Sequence, residues 1–83
     1  MYLIIEVSDS SIEYDRNVKL PAYANAGIPE VWIVDLMSEC IEVHHDITPS
    51  GYRSMEKKNT SDILSLPLFP DITTTVNWVL GKT

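Results

Sequence analysis

Cysteine is almost missing from this sequence: Cys40 is the only one in 83 residues. No internal disulfide can staple the fold, which suits a reducing compartment, and the side chain is expected to serve as a small, half-buried filler. Glycine is scarce too, at three residues, and none forms the Gly-rich run that cradles phosphates. With no cysteine pair and no nucleophile elbow either, nucleotide binding, zinc-finger chemistry and serine hydrolysis have no signal. The longest uninterrupted apolar run is Met1 to Ile5, far short of the ~20 residues that cross a bilayer. No basic segment precedes it as in a signal peptide, so no membrane partner is expected and the chain is placed in the cytoplasm. Positive charge is thin: six Lys and Arg face twelve Asp and Glu, a net charge of −6. That balance repels phosphate backbones and disfavours general nucleic-acid binding. Arg53, Lys57 and Lys58 are the closest approach to a basic patch, and on a strand Arg53 and Lys57 share a face, which a solvated surface explains better than a binding patch.

What is present is a hydrophobic content of 45%, ordinary for a folded domain, in a length that accommodates one unit over residues 1–83. No repeat, low-complexity tract or Gly/Ser linker divides it. YLIIEVS is aliphatic on both alternating faces, which predicts a strand buried on both sides in a parallel sheet. Ser10, Ser11, Ile12 and Glu13 spell a capping box, so a helix is expected to start there. Tyr14, Val18 and Ala22 continue at helical spacing to Gly27, a C-terminal cap. Pro21 interrupts this stretch and predicts a kink or two short helical pieces. EVWIVDL is a second strand, and strand, helix, strand at this spacing predicts a right-handed βαβ crossover.

After a turn at Met37–Glu39, CIEVHHDI is expected to add antiparallel, with Ile41, Val43 and His45 on one face and Cys40, Glu42 and His44 on the other. TPSG turns the chain into a strand over Tyr52 to Lys57. SDILSL predicts a short strand, PLFPD a rigid loop and VNWVL a terminal helix. The fold class is therefore α/β: a mixed sheet with one right-handed βαβ crossover followed by antiparallel strands.

Glu6 is the residue with the most to explain, because a carboxylate inside a buried strand costs several kcal/mol unless a cation or donors meet it. It shares its face with Tyr2, Ile4 and Ser8, none of which neutralises it. A metal ion or a residue on the crossing helix would; alternatively the strand is an edge and Glu6 faces water. Lys19 is a candidate partner by geometry: back from Ser10 to Glu6 the strand covers ~13 Å, and onward to Lys19 the helix climbs ~13 Å, which levels the two. Asp15, four residues before Lys19, offers an exposed local ion pair instead. His44 and His45 with Glu42 are a weak metal motif, since adjacent strand residues point apart. Asp35 stands at the carboxyl end of its strand, where ligands often bind, but serves equally well as a turn former.

The run IIEVSDSSIEYDRNVKLPAYANAGIPEVWIVDL resembles a large bacterial family of restriction-endonuclease-like proteins, the Uma-type family of the PD-(D/E)XK nuclease superfamily. The likeness is strong over residues 3–36 and continues through TPSGYRS, DILS and FPDI. It implies a restriction-endonuclease-like core, here lacking its N-terminal strands, and a nuclease in which an upstream Asp and a strand Glu hold a divalent metal, usually Mg²⁺. It further implies that Glu6 is the strand acid and metal ligand. Ser8 occupies the position of the usual lysine, and the helix lysine that relatives use instead corresponds to Lys19.

Relatives begin this strand with Pro-Asp where this chain has Met1-Tyr2, and the upstream Asp has no counterpart. One carboxylate is a poor Mg²⁺ site. The expectation is thus a truncated, inactive relative of a metal-dependent endonuclease, acting as a self-associating module that dimerises through its N-terminal strand. The alternative is an active Mg²⁺-dependent DNA endonuclease whose missing acid comes from another chain.

Overall fold

The computed structural model describes residues 2–10, 12–66 and 69–80. β1 (Leu3–Ser8) leads into a helical crossover, α1 (Ile12–Tyr14), a π-turn (Asp15–Lys19) and α2 (Leu20–Asn25), which returns to β2 (Glu30–Asp35). β1 and β2 run parallel, with Leu3 opposite Glu30 and Ser8 opposite Asp35. β3 (Cys40–Thr48) and β4 (Gly51–Lys58) then add antiparallel, completing a mixed sheet in the order β1-β2-β3-β4. β5 (Ile63–Leu66) and β6 (Phe69–Thr75) pair as a separate antiparallel sheet, followed by α3 (Val76–Val79).

The crossover resolves the conflict set up by Pro21. A proline ring clashes with the carbonyl four residues earlier, here that of Asn17. That carbonyl lies in the π-turn, where the bonding has already shifted to i→i−5, with the Leu20 N–H donating to the Asp15 carbonyl. Pro21 therefore enters at the first turn of α2, where its missing N–H costs little. The helix ends in a Schellman motif: Ile28 N–H donates to Tyr23 O and Gly27 N–H to Ala24 O, with Gly27 at φ 83°. The capping box at the start falls partly on Ser11, outside the described residues; helix begins at Ile12.

Alternation along the strands divides the core. On the face beneath the crossover, Val31 and Ile33 pack with Leu20 and Ile28, joined by Ile4, Ile12, Tyr23 and Tyr52. On the opposite face Trp32, Val34, Ile41 and Val43 meet Leu64 and Val76 from β5 and α3. β2 is covered on both sides, as its unbroken apolar run requires.

Three expectations need correction. β1 is not buried on both sides: it is the sheet's edge, and Ile5 and Val7 are 50% and 63% exposed, because the small β5–β6 layer covers β2 and β3 and stops short of them. The loop expected over PLFPD gives way at Phe69 to β6, where the β-branched Thr73, Thr74 and Thr75 pair with β5; Pro67 and Leu68 lie outside the described residues. Cys40 is fully buried, at 1% exposure, rather than half-buried. No helix among the described residues is long and apolar enough to cross a membrane.

Candidate functional site

The crossover brings Glu6 and Lys19 together. Lys19 Nζ lies 3.1 Å from Glu6 Oε2 and 3.4 Å from Asp15 Oδ1, so the ammonium bridges the strand acid and its own i−4 neighbour. Both alternatives read from the spacing are realised at once. Asp15 is 3% exposed, which makes this local pair a buried one on the acid's side. The second Glu6 oxygen, Oε1, accepts a hydrogen bond from the Tyr23 hydroxyl. Tyr23 stands one helical turn beyond Lys19 and lines the same side of the helix; that i,i+4 relation was the sequence signal for it, and only Lys19 had been singled out.

Electrostatics fixes what these groups can do. Hydrogen bonding to Glu6, together with attraction to Glu6 and Asp15, outweighs desolvation and raises the Lys19 pKa above that of a free lysine. Lys19 is therefore an ammonium at neutral pH: it can orient a water or steady a developing negative charge, and it cannot remove a proton. The hydrogen bond to Glu6, with burial adding to it, likewise raises the Tyr23 pKa, so the phenol stays a neutral donor. Glu6 keeps 22% of its side chain exposed and Lys19 39%, so solvent reaches the pair from the open side of β1.

Ser8, two residues on from Glu6, is 1% exposed and its hydroxyl has no hydrogen-bond partner.

A second charged cluster lies on the same face. Glu42, 2% exposed on β3, is met by two guanidinium nitrogens of Arg16, Nε at 3.0 Å from Oε1 and Nη2 on Oε2, and by His44 Nε2 at 3.0 Å. Burial pushes the Glu42 pKa up, yet the hydrogen bonds and charges of Arg16 and His44 prevail and leave it below the ordinary value. His44 and His45 do point apart: His45 Nε2 lies 3.4 Å from Glu56 on the other face. Asp35 acts as a turn former, its Oδ1 accepting from Ser38 N–H. Arg53 pairs loosely with Asp46 at 3.8 Å and is 72% exposed, a solvated position.

Among the described residues no three His, Cys, Asp or Glu side chains converge as a metal site. Glu6 has one oxygen engaged by Lys19 and the other by Tyr23. These residues alone do not make the oxygen-rich, multi-acid shell that Mg²⁺ requires.

No curated protein and no solved structure matches the chain. A family model does: Uma2, described as "putative restriction endonuclease", matches residues 1–77. The mixed sheet with its helical crossover is consistent with a restriction-endonuclease-like fold, a class in which divalent-metal dependence is general. On that match, spanning nearly all of its 83 residues, the chain belongs to the Uma2 family of restriction-endonuclease-like proteins.

Proposed function

We propose that this chain is a nuclease-like module that holds the Glu6–Lys19 part of a phosphodiester-hydrolysing site and is silent by itself, associating with a second copy through the outer edge of β1. The observation that carries this reading is the closed state of Glu6: both oxygens are taken by Lys19 and Tyr23, and no third metal-ligating side chain joins them among the described residues. Self-association is supported by β1 itself. Its Leu3–Ser8 edge has no partner on one side among the described residues and carries no lysine, proline or bulge to blunt it, and Ile5 and Val7 remain open to water. Such an edge is a template for another strand.

The second reading, a Mg²⁺-dependent DNA endonuclease completed by an acid from another chain, is favoured by the accessibility of the Glu6–Lys19 pair from solvent. Incubating supercoiled plasmid with the protein and Mg²⁺ or Mn²⁺ separates the two. The silent reading expects no nicking above that of Glu6→Gln and Lys19→Met. Cleavage by the unmodified chain that vanishes in both variants establishes the endonuclease instead. Sedimentation velocity at tens of micromolar should show a dimer, and a strict monomer removes the self-association.

A further inference from the structure

The two ion pairs that tie the crossover to the sheet share one row of residues. Glu6, Ile33 and Glu42 are successive cross-strand partners on β1, β2 and β3. The two carboxylates therefore stand on the same face, two strand spacings or ~10 Å apart. Lys19 reaches one end of the row and Arg16 the other. Three residues apart in an α-helix, these cations would sit only ~60° from each other about the axis. Between Asp15 and Lys19 the chain winds as a π-turn instead. Its wider turn rotates less per residue and opens that angle, sending Lys19 toward β1 and Arg16 toward β3.

The two ends of the row are not equivalent. Glu42 is held from two sides by Arg16 and His44. Lys19 has a choice, with Asp15 on its own helix and Glu6 on the strand at similar distances. Asp15 is available in any helical conformation; Glu6 is available only when the helix stands at one rotation over the sheet.

We infer that Arg16 is a positioning residue: by docking on Glu42 across the π-turn it sets the rotation of the crossover helix and so aims Lys19 at Glu6. The functional meaning of this device rests on the Glu6–Lys19 site proposed above, while its geometry does not depend on that proposal.

Zero-length carbodiimide coupling tests it, because the reagent activates a carboxyl for attack by a lysine amine in direct contact, releasing the urea and leaving an amide, and peptide mapping by mass spectrometry reads out which acid was joined. The intact chain should give both Glu6–Lys19 and Asp15–Lys19 links. In Arg16→Met/Glu42→Met, which leaves no buried carboxylate stranded, the Glu6 link should fall severalfold relative to the Asp15 link while circular dichroism remains that of the folded chain. Arg16→Lys should retain an intermediate ratio. Deleting Asn17, an exposed residue of the π-turn, should also lower the ratio, and it decides the matter if the double variant does not fold. An unchanged ratio in either folded variant overturns the inference. Loss of the Glu6 link in a chain that never nicks DNA leaves the positioning device standing, whereas nicking with unaltered links removes the device and keeps the enzyme.

Discussion

Replacing Arg16 by Met should destabilise this protein far more than replacing the glutamate it binds. The asymmetry follows from exposure: the Glu42 side chain is 3% exposed and that of Arg16 41%. Without Arg16, a buried carboxylate remains with His44 as its neighbour, and stranding one member of a buried pair costs ~3–5 kcal/mol. The lower end applies, since Arg16 is partly solvated already and His44 stays in place. Without Glu42, the guanidinium turns to water, and Glu42→Met should cost about 1 kcal/mol. The double variant should resemble Glu42→Met, giving a coupling energy of roughly 3 kcal/mol.

For a chain of this size, total stability is of order 4–12 kcal/mol, so Arg16→Met removes a large share and should lower Tm by about 12–24 °C. Urea titrations followed by Trp32 fluorescence provide the measurement, since Trp32 is 2% exposed and Trp78, at 74%, changes little on unfolding. In Arg16→Met, burial becomes the dominant influence on Glu42 and raises its folded pKa above the unfolded one. Stability is then present at low pH and lost as pH rises through that value, so the deficit should shrink between pH 7 and 5. Additive single-variant costs, or a larger loss from Glu42→Met, would refute the reasoning.

In the unmodified chain the sign is opposite. The folded Glu42 pKa is depressed, so its contribution is complete above the unfolded value of about 4.3 and is lost as pH falls through the folded one; an acid titration of Tm should show a loss below about pH 4.3 that is smaller in Glu42→Gln. Gly27→Ala should cost about 1 kcal/mol by urea denaturation, purely from the positive φ, because nothing lies within 4 Å of the added Cβ. Tyr52→Phe removes the hydroxyl that donates to the Ile28 carbonyl at 2.5 Å and should cost about 1–2 kcal/mol, seen as a lower urea midpoint with an unchanged m-value.

The strand–helix–strand unit was legible because its signals are local: an apolar strand, a 3.6-residue period ending at Gly27, and a second apolar strand. The contact between Lys19 and Glu6 was legible only in part: chain arithmetic between two regular elements levels the residues, but it leaves Asp15 as a competing partner, and only the family resemblance favours Glu6. Three things were hidden. The π-turn has no periodicity of its own and shows only in the pairing of Leu20 with Asp15. The exposure of Ile5 and Val7 depends on how far β5 and β6 extend over the sheet, a tertiary fact that alternation along β1 cannot encode. Arg16 and Glu42 are 26 residues apart; nothing in their spacing joins them, and Glu42 was weighed only as a neighbour of the histidines.

Placing His44 and His45 side by side on β3 sends two neighbouring imidazoles into opposite layers, one against Glu42 under the crossover and one against Glu56 near β5. The chain thereby carries two built-in spectroscopic probes one residue apart. Ring-proton resonances of the first would register any loosening of the helical cover, those of the second any detachment of the small sheet, so a single titration or melting series could tell which side of the molecule gives way first.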